Sequence, residues 1–399
     1  MISLAEARSM IASAVQPLDA EAVPLGAALG RVLREDVAAG EDMPAFDRSA
    51  MDGYALAADD GSARFRVVAE LQPGAAAEVK IGRGECARIF TGAQIPAGAT
   101  QVLMQEEAER DGEWITPRQR DARTWIRRRG EDARRGDVLL RAGVRLGAGE
   151  LALLAQVGAV APRVSPAVRV VHLATGNELV DPAAEPAAGQ IRDSNSTLIA
   201  ALLAECGAGL VRQGRCGDSL EGLVAAVEEA GGAWDALLIS GGASVGDYDF
   251  GTRALEALGF TVHFRQMNLR PGKPLVFATR GRQAAFVIPG NPVSHFVTFH
   301  TAIRLALERL EGAPRHWPVA PLELGSDLAA KPDARETFWP ARVAVGDGVL
   351  RAHPLAWQSS GDLRGLVGAN ALLQIAPGSG AVSKGGSVPA LLLGAPTGA

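Results

Sequence analysis

The feature that most constrains the fold is the regular alternation of apolar β-rich runs with helical segments between residues 167 and 312. Predicted strands at 168–173 and 236–239 alternate with predicted helices at 194–206 and 219–230. This rhythm is typical of a parallel sheet flanked by helices, because each parallel connection needs a crossover. The sequence therefore predicts a doubly wound, mainly parallel α/β domain in this part of the chain.

The length of the chain predicts several domains, since 399 residues exceed the roughly 250 to 300 at which a single core stops growing. Ser3 and Glu6 form a capping-box pattern before an amphipathic helix, and short β-rich runs separated by Gly, Pro and Asp turns follow. The last stretch has the short alternating runs of a small β-barrel or sandwich. We predict an inserted β-rich domain (41–138) after the first helices, the α/β domain (167–312) and a C-terminal small β-barrel (313–399).

Composition and charge exclude several classes of protein. The formal net charge of -5 argues against nucleic acid as the main partner. Cys86, Cys206 and Cys216 lack zinc-site spacing and cannot form a disulfide framework, which indicates a reducing compartment. Neither an export signal nor an apolar run of the ~20 residues needed to cross a bilayer is visible. We therefore expect a cytoplasmic protein that binds neither nucleic acid nor a membrane.

A glycine-rich loop follows the predicted strand 236–239 and carries most of the chemical information. It contains Gly241, Gly242, Ser244, Gly246 and Asp249. Ligands of open α/β sheets bind at such strand ends, where glycines let backbone N–H groups approach an anion and carboxylates can hold Mg²⁺ against phosphate. The spacing matches neither a Walker loop nor a dinucleotide fingerprint. The loop therefore predicts an anion site, although Asp249 could instead cap the next helix.

Two further carboxylates are expected at the same edge of the sheet. Glu178 lies in a Thr-Gly-Asn-Glu-Leu turn after the predicted strand 168–173, and Asp218 precedes the helix 219–230. Together with Asp249 they would suit a divalent cation. Taken singly, Glu178 fits a solvated loop acid better than a ligand, and Asp218 is predicted as the N-cap of the helix 219–230, with Glu221 at the capping-box position.

Two proline-stiffened turns are candidates for binding an oxyanion. Arg270 and Lys273 lie in an Arg-Pro-Gly-Lys-Pro turn before a buried strand, where the alternative is a solvated basic loop. The turn from Pro289 through Pro292 to Ser294 precedes a helix whose first N–H groups could face an anion, and the alternative is plain loop-to-helix geometry. The histidines of these regions, His172 and His295, lack the partner spacing of a metal site or triad, so we predict structural roles for them.

Taken together these segments resemble the molybdopterin molybdenumtransferase (MoeA) family of molybdenum-cofactor synthesis, which is related to the gephyrin E domain. The resemblance covers nearly the whole chain. The matching segments are residues 46–55, Thr91-Gly92-Ala93 with Pro96, Gly130-Glu131-Asp132 with Gly136, the Thr-Gly-x-Glu-Leu turn, the glycine-rich loop, Pro-Gly-Lys-Pro, Pro-Gly-Asn-Pro-Val-Ser, Ser359-Ser360 and residues 369–372.

The resemblance implies an elongated protomer of four domains. Residues 1–40 plus 139–166 would form the N-terminal linker or dimerisation domain, and the central domain would be of the molybdopterin-binding type. It implies a homodimer whose active site is completed at the subunit interface. The implied reaction is Mg²⁺-dependent hydrolysis of adenylylated molybdopterin, coupled to insertion of molybdate into the dithiolene and release of AMP. Protein partners would be a molybdopterin adenylyltransferase and the acceptor molybdoenzymes.

The resemblance also implies residue roles, position by position. Asp249, Glu178 and Asp218 would be catalytic and would bind the metal, and Arg270 and Lys273 would be catalytic at the oxyanion. Several positions depart from the family pattern, namely Asn177, Gln266, Arg270, Thr337 and Pro340, and Arg342 is an alternative to Arg335. Expected contacts with the cofactor or oxyanion are Gly241, Gly242, Ser244, Gly246, Pro289, Pro292, Ser294, Ser360, Arg335, Thr91, Asp52 and Asp132.

Two other functions are compatible with a similar central fold. One is the adenylyltransferase that makes the adenylate from ATP, but the first two domains and the C-terminal barrel argue against it. The other is a non-catalytic scaffold or cofactor-binding protein, which the three retained carboxylates disfavour.

Overall fold

The structure is a computed structural model that describes residues 1–119, 122–242, 250–312 and 319–398. The α-helices of these ranges are α1 (Leu4–Ala14), α2 (Ala148–Gln156), α3 (Ser194–Cys206), α4 (Leu220–Glu229), α5 (Phe250–Ala257), α6 (Pro292–Thr298) and α7 (Arg304–Glu311). A π-helical segment, Phe299–Ile303, connects α6 to α7. Short 3-10 turns lie at Leu25–Ala27, Gln105–Glu107 and Leu363–Leu366.

The β-strands are numbered in chain order. Those before residue 165 are β1 (Glu21–Ala22), β2 (Val37–Ala38), β3 (Arg48–Ser49), β4 (Gly53–Leu56), β5 (Phe65–Leu71), β6 (Glu85–Ile89), β7 (Gln101–Met104), β8 (Ala108–Asp111), β9 (Trp114–Pro117), β10 (Ile126–Arg127), β11 (Val138–Leu140) and β12 (Arg163–Val164). Those after it are β13 (Arg169–Thr175), β14 (Leu179–Val180), β15 (Ile191–Arg192), β16 (Gly209–Cys216), β17 (Ala236–Ser240), β18 (Thr261–Phe264), β19 (Leu269–Arg270), β20 (Val276–Arg280), β21 (Gln283–Ile288), β22 (Val319–Leu324), β23 (Glu336–Gly346), β24 (Val349–Pro354), β25 (Ala371–Ile375), β26 (Ser387–Leu392) and β27 (Thr397–Gly398).

The chain divides into two compact units. The first comprises Met1–Arg34, Gly143–Leu146 and Arg163–Ala399, and the second comprises Glu35–Ala142 and Gly147–Pro162. The four narrower domain boundaries expected from the sequence stay predictions.

The first unit contains the predicted doubly wound sheet, with strand order β16-β13-β17-β21-β20-β18. The first four strands are parallel, and β20 and β18 continue the sheet antiparallel. Successive side chains of a strand point to opposite faces. Thus Leu238 joins the apolar core formed with α1, α3, α6 and α7, whereas Leu237 and Ile239 join the core formed with α4 and α5. Burial of both faces explains why the central strands are almost wholly apolar.

The start of α4 corrects one sequence prediction. Asp218 was expected to cap this helix, but the N-cap is Ser219, whose hydroxyl accepts a hydrogen bond from the Gly222 N–H at 3.1 Å. Asp218 instead accepts a hydrogen bond from the Asn177 N–H at 3.3 Å. The prediction was wrong by one residue because Asp and Ser are both good N-caps, and only the turn geometry selects between them.

The C-terminal part of the first unit is a closed barrel, as predicted. Strands β23, β24, β22, β26 and β25 pair in that order, and the pairing of β25 with β23 closes the ring. The short strand β19 adds to this barrel in parallel, with Arg270 opposite Thr337. This pairing places the turn that follows Arg270 beside the start of β23.

The second unit is β-rich, as predicted for the inserted domain. Its main sheet has the order β7-β4-β6-β5-β9-β8. Ala55, Ile89 and Val102 are fully buried in one of its apolar clusters, and Phe65 and Ile115 in the other. Tyr54 and Leu56, the neighbours of Ala55 in β4, belong to the second cluster, so this strand is buried on both faces of the sheet.

The N-terminal helix α1 also forms as predicted and belongs to the first unit. Ser3 and Glu6 make the reciprocal capping box, with the Ser3 N–H donating to the Glu6 carboxylate at 2.7 Å. Leu4, Ala7 and Ile11 pack into the core of the α/β domain. Among the described residues, no helix has the length and apolar character to cross a membrane.

Candidate functional site

A cavity of about 580 Å³ lies in the first unit, where the α/β domain meets the barrel. Its walls come from the turn after β19, the turn before α6, the approach to β23 and the loop before the 3-10 turn at Leu363–Leu366. The lining residues are Arg270, Pro271, Gly272, Lys273, Pro274, Pro289, Asn291, Ser294, Ala329, Lys331, Arg335, Trp339, Trp357, Gln358, Ser359 and Ser360.

The cavity is strongly cationic. Within the described part of the chain, four basic side chains line it and no carboxylate does, while serine hydroxyls and the amides of Asn291 and Gln358 supply neutral donors. Guanidinium and ammonium groups bind oxyanions through charge-assisted hydrogen bonds. The basic residues are Arg270, Lys273, Lys331 and Arg335, and the serines are Ser294, Ser359 and Ser360.

The structure thus brings together five of the predicted oxyanion residues, which are Arg270, Lys273, Ser294, Arg335 and Ser360. Lys331 was missed, because a single lysine in a polar stretch carries no sequence signal of its own. The alternative cation Arg342 is exposed and does not line the cavity. Of the predicted proline contacts, Pro289 lines the cavity and Pro292 is the first residue of α6.

The basic turn requires a glycine at its centre, which is Gly272. Its φ is +108°, and an added Cβ would lie 2.4 Å from the Thr298 Cγ2 on α6. Glycine alone meets both demands, since it accepts a positive φ and has no side chain to collide. The close contact of the turn with α6 sets the positions of Arg270 and Lys273 relative to Ser294.

A backbone hydrogen bond joins the barrel to the start of α6. The Val293 N–H donates to the Ser360 carbonyl at 3.0 Å, which brings Ser360 next to Ser294. The sequence had suggested that the first N–H groups of this helix face an anion. The Val293 N–H is instead used within the protein and does not face an anion.

A buried chain of hydrogen bonds ties α6 to the sheet. Ser240 Oγ lies 2.6 Å from His172 Nε2 and 2.8 Å from His295 Nε2. His172 Nδ1 faces the Gln213 amide at 3.0 Å, and His295 Nδ1 faces the Asn291 carbonyl at 3.1 Å. An amide nitrogen only donates and a carbonyl only accepts, so the protons lie on His172 Nε2 and His295 Nδ1.

Burial keeps both of these histidines neutral. It lowers the pKa of His172 to about 3 and the pKa of His295 to about 4. With fixed tautomers, the Ser240 hydroxyl accepts from His172 and donates to His295. These findings support the predicted structural roles, because each ring nitrogen is used inside the protein.

Two of the three predicted metal ligands lie at adjacent strand ends. Glu178 and Asp218 are exposed, and Asn177 connects their loops through two hydrogen bonds of 3.3 Å with Asp218. Asp249 lies outside the described residues, as do Ser244 and Gly246. Within the described residues no three His, Cys, Asp or Glu side chains form a group that could hold a metal ion. The predicted metal site therefore stays a prediction.

The described part of the glycine-rich loop packs against the end of β13. Gly241 has a φ of +92°, and an added Cβ would lie 2.6 Å from the Thr175 carbonyl oxygen. Gly242 also has a positive φ, of +65°. The buried Thr175 Oγ has no hydrogen-bond partner among the described residues.

The predicted residues of the second unit form local hydrogen bonds. Asp52 accepts from both the N–H and the hydroxyl of Thr91 at 2.7 Å, and the N–H bond is the main cause that lowers the pKa of Asp52. Asp132 pairs with Arg127. Their contribution to a site stays a prediction.

The remaining departures from the family pattern lie outside the cavity. Thr337 and Pro340 are buried in β23, and the Gln266 carbonyl accepts a hydrogen bond from the Ile2 N–H at 3.3 Å. None of the three lines the cavity.

Comparisons with known proteins agree over most of the chain. Residues 2–158 match the MoeA N-terminal region (domain I and II), residues 172–309 match a domain described as "Probable molybdopterin binding domain", and residues 321–393 match the MoeA C-terminal region (domain IV).

Curated relatives and solved structures extend this similarity. The molybdopterin molybdenumtransferase of Nostoc sp. is 34% identical over 393 residues, covering 94% of this chain and 89% of that protein. The Bacillus subtilis protein of the same name is 34% identical over 388 residues, covering 94% and 90%. A crystal structure of the molybdopterin biosynthesis MoeA protein from Pyrococcus horikoshii aligns with a TM-score of 0.85 at 28% identity, covering 99% and 100%. On this evidence the chain belongs to the MoeA family of molybdopterin molybdenumtransferases.

Proposed function

We propose that this protein inserts molybdate into adenylylated molybdopterin in a Mg²⁺-dependent reaction that releases AMP. The observation that carries the proposal is the cavity lined by four cations and three serines, with no carboxylate among its described lining residues. Molybdate is a tetrahedral dianion. Such a ligand favours a compact pocket of Arg and Lys over a histidine site, because the basic groups both balance its charge and donate hydrogen bonds.

The aromatic wall of the cavity supports the same assignment. Trp357 meets Trp339 edge to face with ring centroids 5.0 Å apart, and the Arg270 guanidinium lies 5.8 Å from the centre of the Trp357 ring. Apolar walls keep water away from part of the cavity and lower the local dielectric constant. Attraction between the cations and an oxyanion is therefore stronger there than at an open surface.

The adenylylated substrate is proposed to bind at the strand ends that carry Gly241 and Gly242. Support comes from the place of both glycines directly after the carboxyl end of β17, where ligands of open α/β sheets bind. Glu178 and Asp218, with Asp249 as the third predicted ligand, have the hard oxygen donors that Mg²⁺ prefers. When bound, Mg²⁺ would offset negative charge on the phosphate oxygens during cleavage.

The residues of the chain would divide the work between the two substrates. The cavity cations would hold the oxyanion until the dithiolene can react with it. The strand ends that carry Gly241 and Gly242 would hold the pyrophosphate link that is cleaved. Arg270 and Lys273 belong to the cavity, and Gly272 between them packs on Thr298 of α6, the helix that follows the turn at Pro289. We further propose a homodimer in which Asp52, Thr91 and Asp132 help to complete the site.

The decisive experiment measures AMP released from adenylylated molybdopterin with Mg²⁺, with and without molybdate. We expect molybdate-stimulated release by the wild type, loss of that stimulation in Arg335→Ala, and loss of all release in Glu178→Ala. Arg282→Ala is the matched control, since this exposed arginine pairs with Asp19 and does not line the cavity.

Two outcomes would contradict the proposal. Binding of the adenylate by the wild type without any AMP release would favour the scaffold. Consumption of ATP with bare molybdopterin as acceptor would favour the adenylyltransferase.

A further inference from the structure

Asp333 contacts two of the four cavity cations although it does not line the cavity itself. Its Oδ2 accepts hydrogen bonds from Arg335 Nη2 at 2.9 Å and from Arg270 Nη1 at 3.2 Å. Its Oδ1 accepts from Arg335 Nε at 2.9 Å and from the Arg335 backbone N–H at 2.9 Å. The carboxylate therefore bonds to both guanidinium groups without itself lining the cavity.

These four hydrogen bonds fill the acceptor capacity of the group, because a carboxylate offers about four lone-pair sites. Hydrogen bonding from Arg335 holds the pKa of the Asp333 carboxyl well below its usual range, so the group is charged at neutral pH. A guanidinium has five N–H donors. Arg335 spends two of its guanidinium donors on Asp333 and Arg270 spends one, which leaves the others for a ligand.

The two arginines come from segments that are distant in the sequence. Arg270 lies in β19 and Arg335 directly precedes β23, and these strands pair in parallel. Arg270 is held on a second side by the Trp357 ring at 5.8 Å. Asp333 thus fixes the relative placement of two flexible side chains that different parts of the fold deliver to one cavity.

We propose that Asp333 is a positioning residue for oxyanion binding, which orients the Arg270 and Arg335 guanidinium groups toward the cavity. This inference rests on the proposed function, because it requires that the cavity binds an oxyanion. A carboxylate that acted only through its charge would repel a dianion. Orientation and simple charge compensation therefore predict opposite changes in affinity when the carboxylate is removed.

The test is calorimetric titration of the full-length protein with molybdate alone. Asp333→Ala frees both arginines, and ordering one such side chain costs enough to change affinity by roughly tenfold. We expect binding at least about tenfold weaker in Asp333→Ala. Asp333→Asn should lie between this variant and the wild type, because the amide oxygen keeps one acceptor for the guanidinium groups.

Asp235→Asn is the matched control. Asp235 accepts the same three hydrogen bonds from one arginine, namely from the N–H, Nε and Nη2 of Arg169 at 2.8, 3.1 and 2.9 Å. It immediately precedes β17, at the opposite end of that strand from the glycine-rich loop. Its substitution removes the same charge and should leave the affinity for molybdate unchanged.

A second titration uses perrhenate, a tetrahedral monoanion, to separate orientation from charge. If Asp333 positions the arginines, both anions bind the variants more weakly. If it only balances charge, both bind more tightly and molybdate gains more, which would overturn the inference. Equal affinity of the wild type and Asp333→Asn for molybdate would also overturn the inference. If Asp333→Ala does not fold, the comparison of the wild type with Asp333→Asn is the test. Absence of molybdate binding by the wild type would instead count against the proposed function.

Discussion

Acidification between pH 7 and pH 5 is expected to destabilise the α/β domain through three buried histidines. Burial lowers the pKa of His172 to about 3, of His295 to about 4 and of His300 to about 3. In the unfolded chain each imidazole has an ordinary pKa of about 6.5. As the pH falls below that value, the unfolded chain takes up protons that the folded protein does not, so the free energy of unfolding decreases.

The size of the effect follows from the same pKa values. Between pH 7 and pH 5 each histidine lowers the free energy of unfolding by about 2 kcal/mol, and the three together by about 5 to 6 kcal/mol. This is a large part of the ~5 to 15 kcal/mol that stabilises a typical domain. Carboxyls with lowered pKa, such as Asp52 and Asp333, add little in this window, because their contribution is lost only near and below an unfolded pKa of about 3.9.

Hydrogen exchange of the most protected backbone amides in α6 and the π-helical segment measures the unfolding of the α/β domain as a function of pH. We expect opening to become easier from pH 7 to pH 5, and His300→Gln to remove about a third of the slope. His300 packs edge to face on Phe296 with ring centroids 4.5 Å apart, inside the same core as α6. An opening free energy that stays constant over this range, after correction for intrinsic exchange, would refute the reasoning.

Three further outcomes are expected. Gly272→Ala should lower the melting temperature and weaken molybdate binding, because the added Cβ would lie 2.4 Å from Thr298 at a φ of +108°. The control is Gly281→Ala, which has a φ of +57° and open space around the added Cβ, and so shows the cost of the positive φ alone. Nitrogen-15 NMR should find His172 protonated at Nε2 and His295 at Nδ1, and reversed tautomers would contradict the hydrogen-bond chain. Burial raises the pKa of Cys86 to about 12, so mass spectrometry should find it unmodified by a thiol reagent at pH 8.

Much of the central fold could be predicted because its strands are buried on both faces. Continuous apolar runs such as β17 and β21 have no other stable place than the middle of a covered sheet. Helix ends were less determined. Asp218 and Ser219 both satisfy the cap preference, and the choice depends on the hydrogen bonds between Asp218 and Asn177, which no local pattern records.

The residues of the candidate site were predictable only where a motif carried them. Arg270, Lys273 and Ser294 lie in proline-glycine turns that stand out in the sequence. Lys331 and Asp333 have no such context, and an acid two residues before an arginine is commonly a surface ion pair. Their relevance depends on the pairing of β19 with β23, which brings together segments more than sixty residues apart.

The cavity depends on the contact between the α/β domain and the barrel within the first unit. The α/β part supplies Arg270 and Lys273, whereas Lys331, Arg335 and the serines at 359 and 360 come from the chain beyond it. The hydrogen bond from Val293 to Ser360 and the pairing of β19 with β23 hold these two sets in register. An α/β domain without the barrel would keep the strand ends that carry Gly241 and Gly242, but it would lose Lys331 and Arg335, two of the four cavity cations. For that reason the barrel argues for oxyanion chemistry and against an enzyme that only forms the adenylate.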